Sequence, residues 1–141
     1  MRGGTVARFL AVAHQTSEAE EFVDALRAAS SRDPGAEFVL LVPATPVRHL
    51  ATWTEGESRA VAAEKAAVAR RRLEQAGVNV VDARVGGPQP FQAIMDALTG
   101  EVFDEIIVST FPPGISRWLG TDLINRLQRA IDLPITHVIA L

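Results

Sequence analysis

Apolar residues recur along this chain in two alternating patterns, one typical of buried strands and the other of amphipathic helices. Mostly apolar runs occupy residues 7–13 (ARFLAVA), 37–42 (EFVLLV), 78–85 (VNVVDARV), 104–109 (DEIIVS) and 133–141 (LPITHVIAL). Runs of this kind are typical of strands that are covered on both faces. Between them, apolar residues recur every three or four positions, which predicts helices. The pattern therefore predicts five strands that alternate with four helices.

The predicted helices have recognisable start and stop signals. Ser17 and Glu20 have the spacing of a capping box, so the first helix is predicted to start at Ser17. Gly77 is placed to end the second and longest helix. The apolar positions predicted to face the sheet are Ala62, Ala66, Ala69, Leu73 and Ala76 in the second helix, Phe91, Ile94, Met95 and Leu98 in the third, and Leu123, Ile124, Leu127 and Ile131 in the fourth.

Strict alternation of strands and helices predicts an α/β fold with three layers, in which helices cover both faces of a five-stranded parallel sheet. We expect one Rossmann-like domain over residues 1–141 with strand order 3-2-1-4-5. In such sheets ligands bind beyond the carboxyl ends of the strands, where the direction of winding reverses. That point lies between strands one and four, so HQTS (residues 14–17) and STFPPGISRWLGT (residues 109–121) are predicted to face each other.

Composition excludes several classes of function. The 141 residues include no cysteine, which excludes disulfides, thiolate catalysis and cysteine metal sites, and the net charge is −3. A nucleic-acid-binding protein would usually have a basic face, and no apolar run approaches the length that spans a bilayer. We therefore expect a cytoplasmic protein that binds neither nucleic acid nor membrane.

Known catalytic motifs do not occur in the sequence. There is no G-x-S-x-G elbow, no Walker loop and no G-x-G-x-x-G, and three dispersed histidines make no metal signature. His14 follows the first strand beside the predicted crevice, where a histidine could bind a ligand or act as a base, but it is interpreted as an ordinary loop histidine. The sequence predicts a protein that is not an enzyme.

Several segments together resemble the universal stress protein family. They are VAHQTSEAEEFVDAL at the first strand, ARVGGPQPFQAI after the third, FDEIIVST at the fourth and LGTDLINRLQRAIDLPITHVIA at the end. The loops VPATP and STFPPG resemble those of a divergent subgroup from high-GC bacteria. The resemblance implies the universal stress protein fold, a regulatory role in the stress response and a homodimer formed through the last strand. An exposed last strand would also need covering.

The nucleotide-binding branch of that family has an aspartate after the first strand and a glycine-rich phosphate loop after the fourth. By this resemblance, Gln15 stands in place of the aspartate, Ser109 and Pro112 replace two glycines, and Gly120 with Thr121 matches the final Gly-[Ser/Thr]. Prolines have no N–H for a phosphate, and Asp122 adds negative charge there. The candidate binding residues are Gln15, Thr16, Ser109, Thr110, Gly114, Ser116, Arg117, Gly120 and Thr121.

Two hypotheses for the function follow. In the first, the domain binds ATP, another adenine nucleotide or a small anionic ligand between the loops after strands one and four. In the second, it is a ligand-free dimeric interaction module whose nucleotide loop is degenerate. No metal site is predicted under either hypothesis.

Overall fold

In a computed structural model, which describes residues 6–45, 55–112 and 121–141, five strands alternate with four helices. The strands are β1 (Arg8–Val12), β2 (Glu37–Pro43), β3 (Val80–Gly86), β4 (Glu105–Thr110) and β5 (Ile135–Ile139). The helices are α1 (Glu20–Arg32), α2 (Glu55–Gln75), α3 (Pro90–Leu98) and α4 (Thr121–Ala130).

The strands form one parallel sheet in the order β3-β2-β1-β4-β5, which confirms the predicted topology. β1 lies at the centre and pairs with β2 on one side and β4 on the other. Successive side chains of a strand point to opposite faces, so Leu10 and Val12 join one apolar cluster whereas Phe9 and Ala11 join the other. The sheet is thus the middle of three layers, with a hydrophobic core on each face.

The core beneath α1 and α2 combines large rings from the sheet with small side chains from the helix. Phe9 of β1 stacks on Phe38 of β2, with ring centroids 4.8 Å apart and planes 13° apart. The predicted stripe of α2 faces this layer, and its members Ala62, Ala66, Ala69 and Leu73 are buried. Alanine at the contact lets the helix approach the sheet closely enough to exclude water from the rings.

Gly77, two residues after the end of α2, stops this helix as predicted. Its φ of +89° lies in the left-handed region, where glycine meets no Cβ penalty. The Gly77 amide donates to the Glu74 carbonyl, and the Val78 amide donates to the Leu73 carbonyl. These two hydrogen bonds form a Schellman motif, which turns the chain from α2 toward β3.

The predicted start of α1 is wrong. The helix begins at Glu20, its N-cap is Ala19, and no side chain caps it. Ser17 lies instead in a turn, where its amide donates to the His14 carbonyl and its hydroxyl has no partner among the described residues. The chain makes this turn as it leaves β1, so residues 14–18 precede the helix.

The predicted buried faces of α3 and α4 are partly correct. Ile94 is buried with Ala93 in α3, but Phe91, Met95 and Leu98 are only half-buried. In α4 the predicted Leu123, Ile124 and Leu127 are buried, while Ile131 follows the helix and is half-buried. The buried residues of α3 are thus Pro90, Ala93 and Ile94, so only one member of the predicted apolar face is fully buried.

An ion-pair network ties the segment after α3 to the sheet. Arg84 of β3 contacts Glu101 through both terminal nitrogens, one bond being 3.0 Å, and Arg8 of β1 donates to the same carboxylate at 3.1 Å. The hydrogen bond from Arg84 is the main reason why the pKa of Glu101 falls to about 2. The pKa of Arg84 is raised in turn, mainly by its hydrogen bond to Glu101.

The packing of α3 against the sheet can be tested at Gly86, the last residue of β3. A Cβ at Gly86 would lie 2.8 Å from the Ala93 Cβ and 3.1 Å from the Leu41 Cδ1, so the Gly86→Ala variant must push α3 from the sheet. We expect a loss of about 1–3 kcal/mol in the free energy of unfolding, as for other overpacked cores. Urea denaturation measures it. The matched control is Gly87→Ala, because a Cβ there meets nothing within 4 Å. Equal stability of the two variants would contradict the packing.

Glu101 gives a second test, which depends on pH. The folded-state pKa of about 2 lies below the ordinary 4.5, so the carboxylate stabilises the fold fully above about pH 4.5 and loses this effect as pH falls toward 2. We expect Glu101→Gln to lower the free energy of unfolding by about 1 kcal/mol at pH 7, since the pair is partly exposed. Urea denaturation at several pH values should show the difference from wild type shrinking below pH 4.5. A difference independent of pH would contradict this role.

Candidate ligand-binding crevice

The loops that follow β1 and β4 meet at the carboxyl edge of the sheet. Val12 at the end of β1 pairs with Val108 of β4. Just beyond this pair, the Thr16 hydroxyl in the loop after β1 is hydrogen-bonded at 2.7 Å to the Ser109 hydroxyl of β4. Both residues are buried. The contact joins this loop to the last residues of β4 at the point where the winding of the sheet reverses, which is where the topology predicted a site.

A small crevice, with about 20 Å³ of space between the described residues, lies at this junction. Its apolar walls include Val12, Pro43, Pro90, Val108 and Leu123. Its polar groups belong to His14, Gln15, Thr16, Thr45, Ser109 and Thr110. Mostly apolar walls with a few polar groups are typical of small-molecule sites.

The crevice is uncharged over the part of the chain that the structure describes. Its described lining has hydroxyl groups, one amide and one imidazole, but neither a carboxylate nor a lysine or arginine. Such groups can orient a ligand by hydrogen bonds, whereas a phosphate is usually held by cations or converging backbone N–H groups.

His14 is the most unusual group in the crevice. It is 7 % exposed, and its Nε2 is buried without a hydrogen-bond partner among the described residues. Burial, together with the positive charge of Lys65 on α2, lowers the pKa of His14 to about 4, so the imidazole is neutral at pH 7. A buried polar atom without a partner costs about 1–3 kcal/mol, which marks His14 as a group with unused hydrogen-bonding capacity.

Thr110 and His137 form a second polar pair at the same edge. The Thr110 Oγ1 lies 2.6 Å from the His137 Nε2, and it also donates to the Phe111 carbonyl at 3.0 Å. Because the hydroxyl has one proton and the carbonyl can only accept, both bonds form together only if the imidazole Nε2 donates. Burial lowers the pKa of His137, which favours the neutral imidazole. The pair therefore fixes β4 to β5 and does not activate the hydroxyl.

The structure brings together part of the predicted set of site residues. Gln15, Thr16, Ser109 and Thr110 all line the crevice. Gly114, Ser116, Arg117 and Gly120 lie outside the described residues. Thr121 is the first residue of α4, and its side chain is also outside the described part of the structure.

The described lining also includes residues that the predicted set of site residues lacked, among them His14, Thr45 and Pro90. Of these, the sequence had placed only His14 beside the crevice. Thr45 donates to the Pro88 carbonyl at 3.0 Å and so links the loops after β2 and β3. The only signal in the sequence was position, since each of these residues follows a predicted strand directly or lies in the loop after it.

A second and larger hollow, of about 500 Å³, lies between α3 and α4. The Arg126 guanidinium lies 4.0 Å from the centre of the Phe91 ring. The other polar residues that line the hollow are Gln89, Asp122, Asn125 and Arg129. Pro90 and Leu123 line both hollows and so form the wall between them. This hollow, unlike the crevice, has cationic side chains.

The described residues contain no group of three or more histidine and acidic side chains that could hold a metal ion. Within the same residues, no helix combines the length and the apolar character that crossing a bilayer requires.

Comparison with known proteins gives a consistent result for the fold. No protein-family model matches the sequence. A universal stress protein from Archaeoglobus fulgidus superposes with a TM-score of 0.64 at 11% identity, covering 97% of this chain and 96% of its own. A universal stress protein in complex with cAMP gives 0.60 at 14% identity, covering 97% and 100%. A universal stress protein family protein from Arabidopsis thaliana with AMP bound gives 0.61 at 10% identity, covering 96% and 92%.

These similarities extend over nearly the whole length of each chain, although the sequences differ at most positions. They agree with the strand order and the alternation of strands and helices in this structure. The chain has the fold of the universal stress proteins.

Proposed function

We propose that this protein is a regulatory domain that works by binding an adenine nucleotide in the crevice between β1 and β4. The observation that supports this most directly is the crevice itself, which lies at the reversal of winding and is lined by apolar walls and hydrogen-bonding groups. Two proteins of the same fold have cAMP or AMP bound. A cytoplasmic role in the stress response accords with this proposal.

AMP or cyclic AMP is the preferred ligand over ATP. The described lining has no cation that would neutralise a triphosphate, and Asp122 adds a negative charge in the first turn of α4. Pro112 has no N–H with which to hold a phosphate oxygen. Each added phosphate therefore gains little attraction from the described residues and meets some repulsion.

The domain acts by binding rather than by catalysis. Among the described lining residues there is no carboxylate beside a nucleophile. The hydroxyls of Thr16 and Ser109 are hydrogen-bonded to each other. The Thr110 hydroxyl accepts a hydrogen bond from His137, so His137 does not act as a base toward it. An acyl- or phosphoryl-transfer site needs a nucleophile with a base that can take its proton.

Filling the mouth of the crevice tests the proposal. Gln15 is exposed at the rim, so Gln15→Trp should leave the fold intact while its indole occupies the ligand's space. We expect isothermal titration calorimetry to show AMP binding to wild type and affinity at least about tenfold weaker in the variant, a change of about 1.4 kcal/mol.

The matched control is Gln92→Trp, because Gln92 is exposed on α3 and does not line the crevice. This variant should bind AMP as wild type does. If wild type binds none of AMP, cyclic AMP and ATP at millimolar ligand, the nucleotide-binding function is wrong and the ligand-free interaction module takes its place. Equal binding by both tryptophan variants would place the ligand elsewhere.

The domain forms a homodimer through β5 in this proposal. β5 is an edge of the sheet, and Ile139 is 40% and Leu141 98% exposed. The Ala140 amide donates to the Thr110 carbonyl of β4, so by the alternation of the ladder the Ile139 amide points to the open edge. An unpaired edge with apolar side chains favours pairing with a second copy.

Removing that outward amide tests the dimer. We expect wild type to have the mass of a dimer in light scattering after gel filtration and Ile139→Pro to have that of a monomer, because proline cannot donate across the edge. Circular dichroism should show that both the wild type and Ile139→Pro are folded, since the Ile139 amide does not pair with β4. A monomeric wild type at about 100 μM would overturn the dimer without affecting the nucleotide proposal.

A further inference from the structure

We propose that the hollow between α3 and α4 is a docking surface for an acidic segment of a partner protein. The hollow has about 500 Å³ of space, and Pro90 and Leu123 separate it from the crevice. The proposal goes beyond the function proposed above, which concerns the crevice and names no partner protein. It does not depend on nucleotide binding, because the residues that carry it do not line the crevice.

One outward face of α4 supplies the cations of this surface. Arg126 and Arg129 both line the hollow, and because they are three positions apart their side chains leave the helix on the same face. Both are exposed. Over the part of the chain that the structure describes, neither has a hydrogen bond or an ion pair. Two neighbouring arginines in this state are suited to a partner that brings carboxylates.

Phe91 of α3 orients the first of these arginines. The centre of its half-buried ring lies 4.0 Å from the Arg126 guanidinium carbon, which is the distance of a cation–π interaction. This contact restricts the arginine side chain while leaving N–H donors of the guanidinium for an incoming carboxylate. A side chain that is already restricted loses less entropy when a partner binds.

The rest of the lining is typical of a protein interface. Pro90 and Leu123 add apolar surface, and the side-chain amides of Gln89 and Asn125 can each donate and accept hydrogen bonds. Such amides match the N–H and C=O groups of a peptide backbone. Aromatic residues and arginine are enriched in protein interfaces, and arginine often carries much of the binding energy. A phosphate or small carboxylate would use the arginines alone.

Charge decides which kind of partner fits. The two arginines face one carboxylate, Asp122, in the described lining, so the hollow is positive although the whole chain has a net charge of −3. At physiological salt, exposed charges more than about 8 Å away are largely screened. The arginines therefore dominate close to the hollow, where they attract an acidic segment and repel a basic one.

Amide chemical shifts of the isotopically labelled chain test the docking surface with a defined probe. The probe is the synthetic peptide acetyl-Glu-Glu-Leu-Glu-Glu-amide, and its uncharged match has glutamine in place of every glutamate. We expect the acidic peptide to shift the amides of residues 89–92 and 122–129, which include the lining of the hollow, and the uncharged peptide to shift none of them. Binding should weaken as salt rises from about 50 to about 300 mM.

Substitutions on exposed positions identify the charges that matter. The double variant with Arg126→Gln and Arg129→Gln should bind the acidic peptide about tenfold more weakly, because each exposed ion pair contributes a few fold. The matched control carries Arg71→Gln and Arg72→Gln, which remove the same charge from exposed positions of α2 outside the hollow. Asp122→Asn should bind about two- to threefold more tightly, a gain that a merely structural role would not produce.

Failure of this proposal is distinguishable from failure of the proposed function. The docking surface is wrong if the acidic peptide shifts no amide of the hollow at about 5 mM, or if both double variants bind it equally. Succinate or inorganic phosphate binding as tightly as the peptide at the same amides would show a small-anion site and overturn the partner protein. None of these outcomes affects AMP binding at residues 12–16, which is measured separately.

Discussion

The parallel pairing of β1 with β4 is the constraint on which the rest of this structure depends. On one side of β1 lie β2 and β3, and on its other side lie β4 and β5. Right-handed crossovers therefore place α1 and α2 on one face of the sheet and α3 and α4 on the opposite face. The loops after β1 and β4 therefore diverge to opposite faces and leave a gap between them. The hydrogen bond between Thr16 and Ser109 joins the loop after β1 to the end of β4 at the base of that gap.

The polar groups around this gap are paired in a consistent way. Thr16, Ser109, Thr45 and Thr110 use their hydroxyls to hold neighbouring loops and strands together. His14 differs, since its Nε2 is buried without a described partner. A crevice whose hydroxyls are already bonded within the protein is suited to binding a ligand mainly by apolar surface, without chemical activation.

The fold could be predicted from the sequence because its signals are local. Each strand has a mostly apolar run, and Gly77 marks a helix end whose geometry glycine alone adopts easily. The start of α1 could not be predicted, because Ser17 has the residue type of a cap but is buried in a turn with His14. The half-burial of Phe91 likewise depends on what lies beside α3 rather than on its spacing.

The site was predictable in place but not in chemistry. Topology alone brought Gln15, Thr16, Ser109 and Thr110 to one edge. His14 has the sequence context of an ordinary loop histidine, and its lowered pKa arises from burial and from Lys65, which lies 51 positions further along the chain. Interactions of this range have no signature in a local pattern.

The location of the ligand is the central claim, and a titration of the isotopically labelled protein with AMP, followed by amide chemical shifts, tests it most directly. We expect the largest changes at residues 12–16 and 108–111, which line the crevice, and small changes at the hollow between α3 and α4. Changes centred on Phe91, Arg126 and Arg129, with residues 12–16 unaffected, would show that the nucleotide binds the cationic hollow and would contradict the assignment of the crevice.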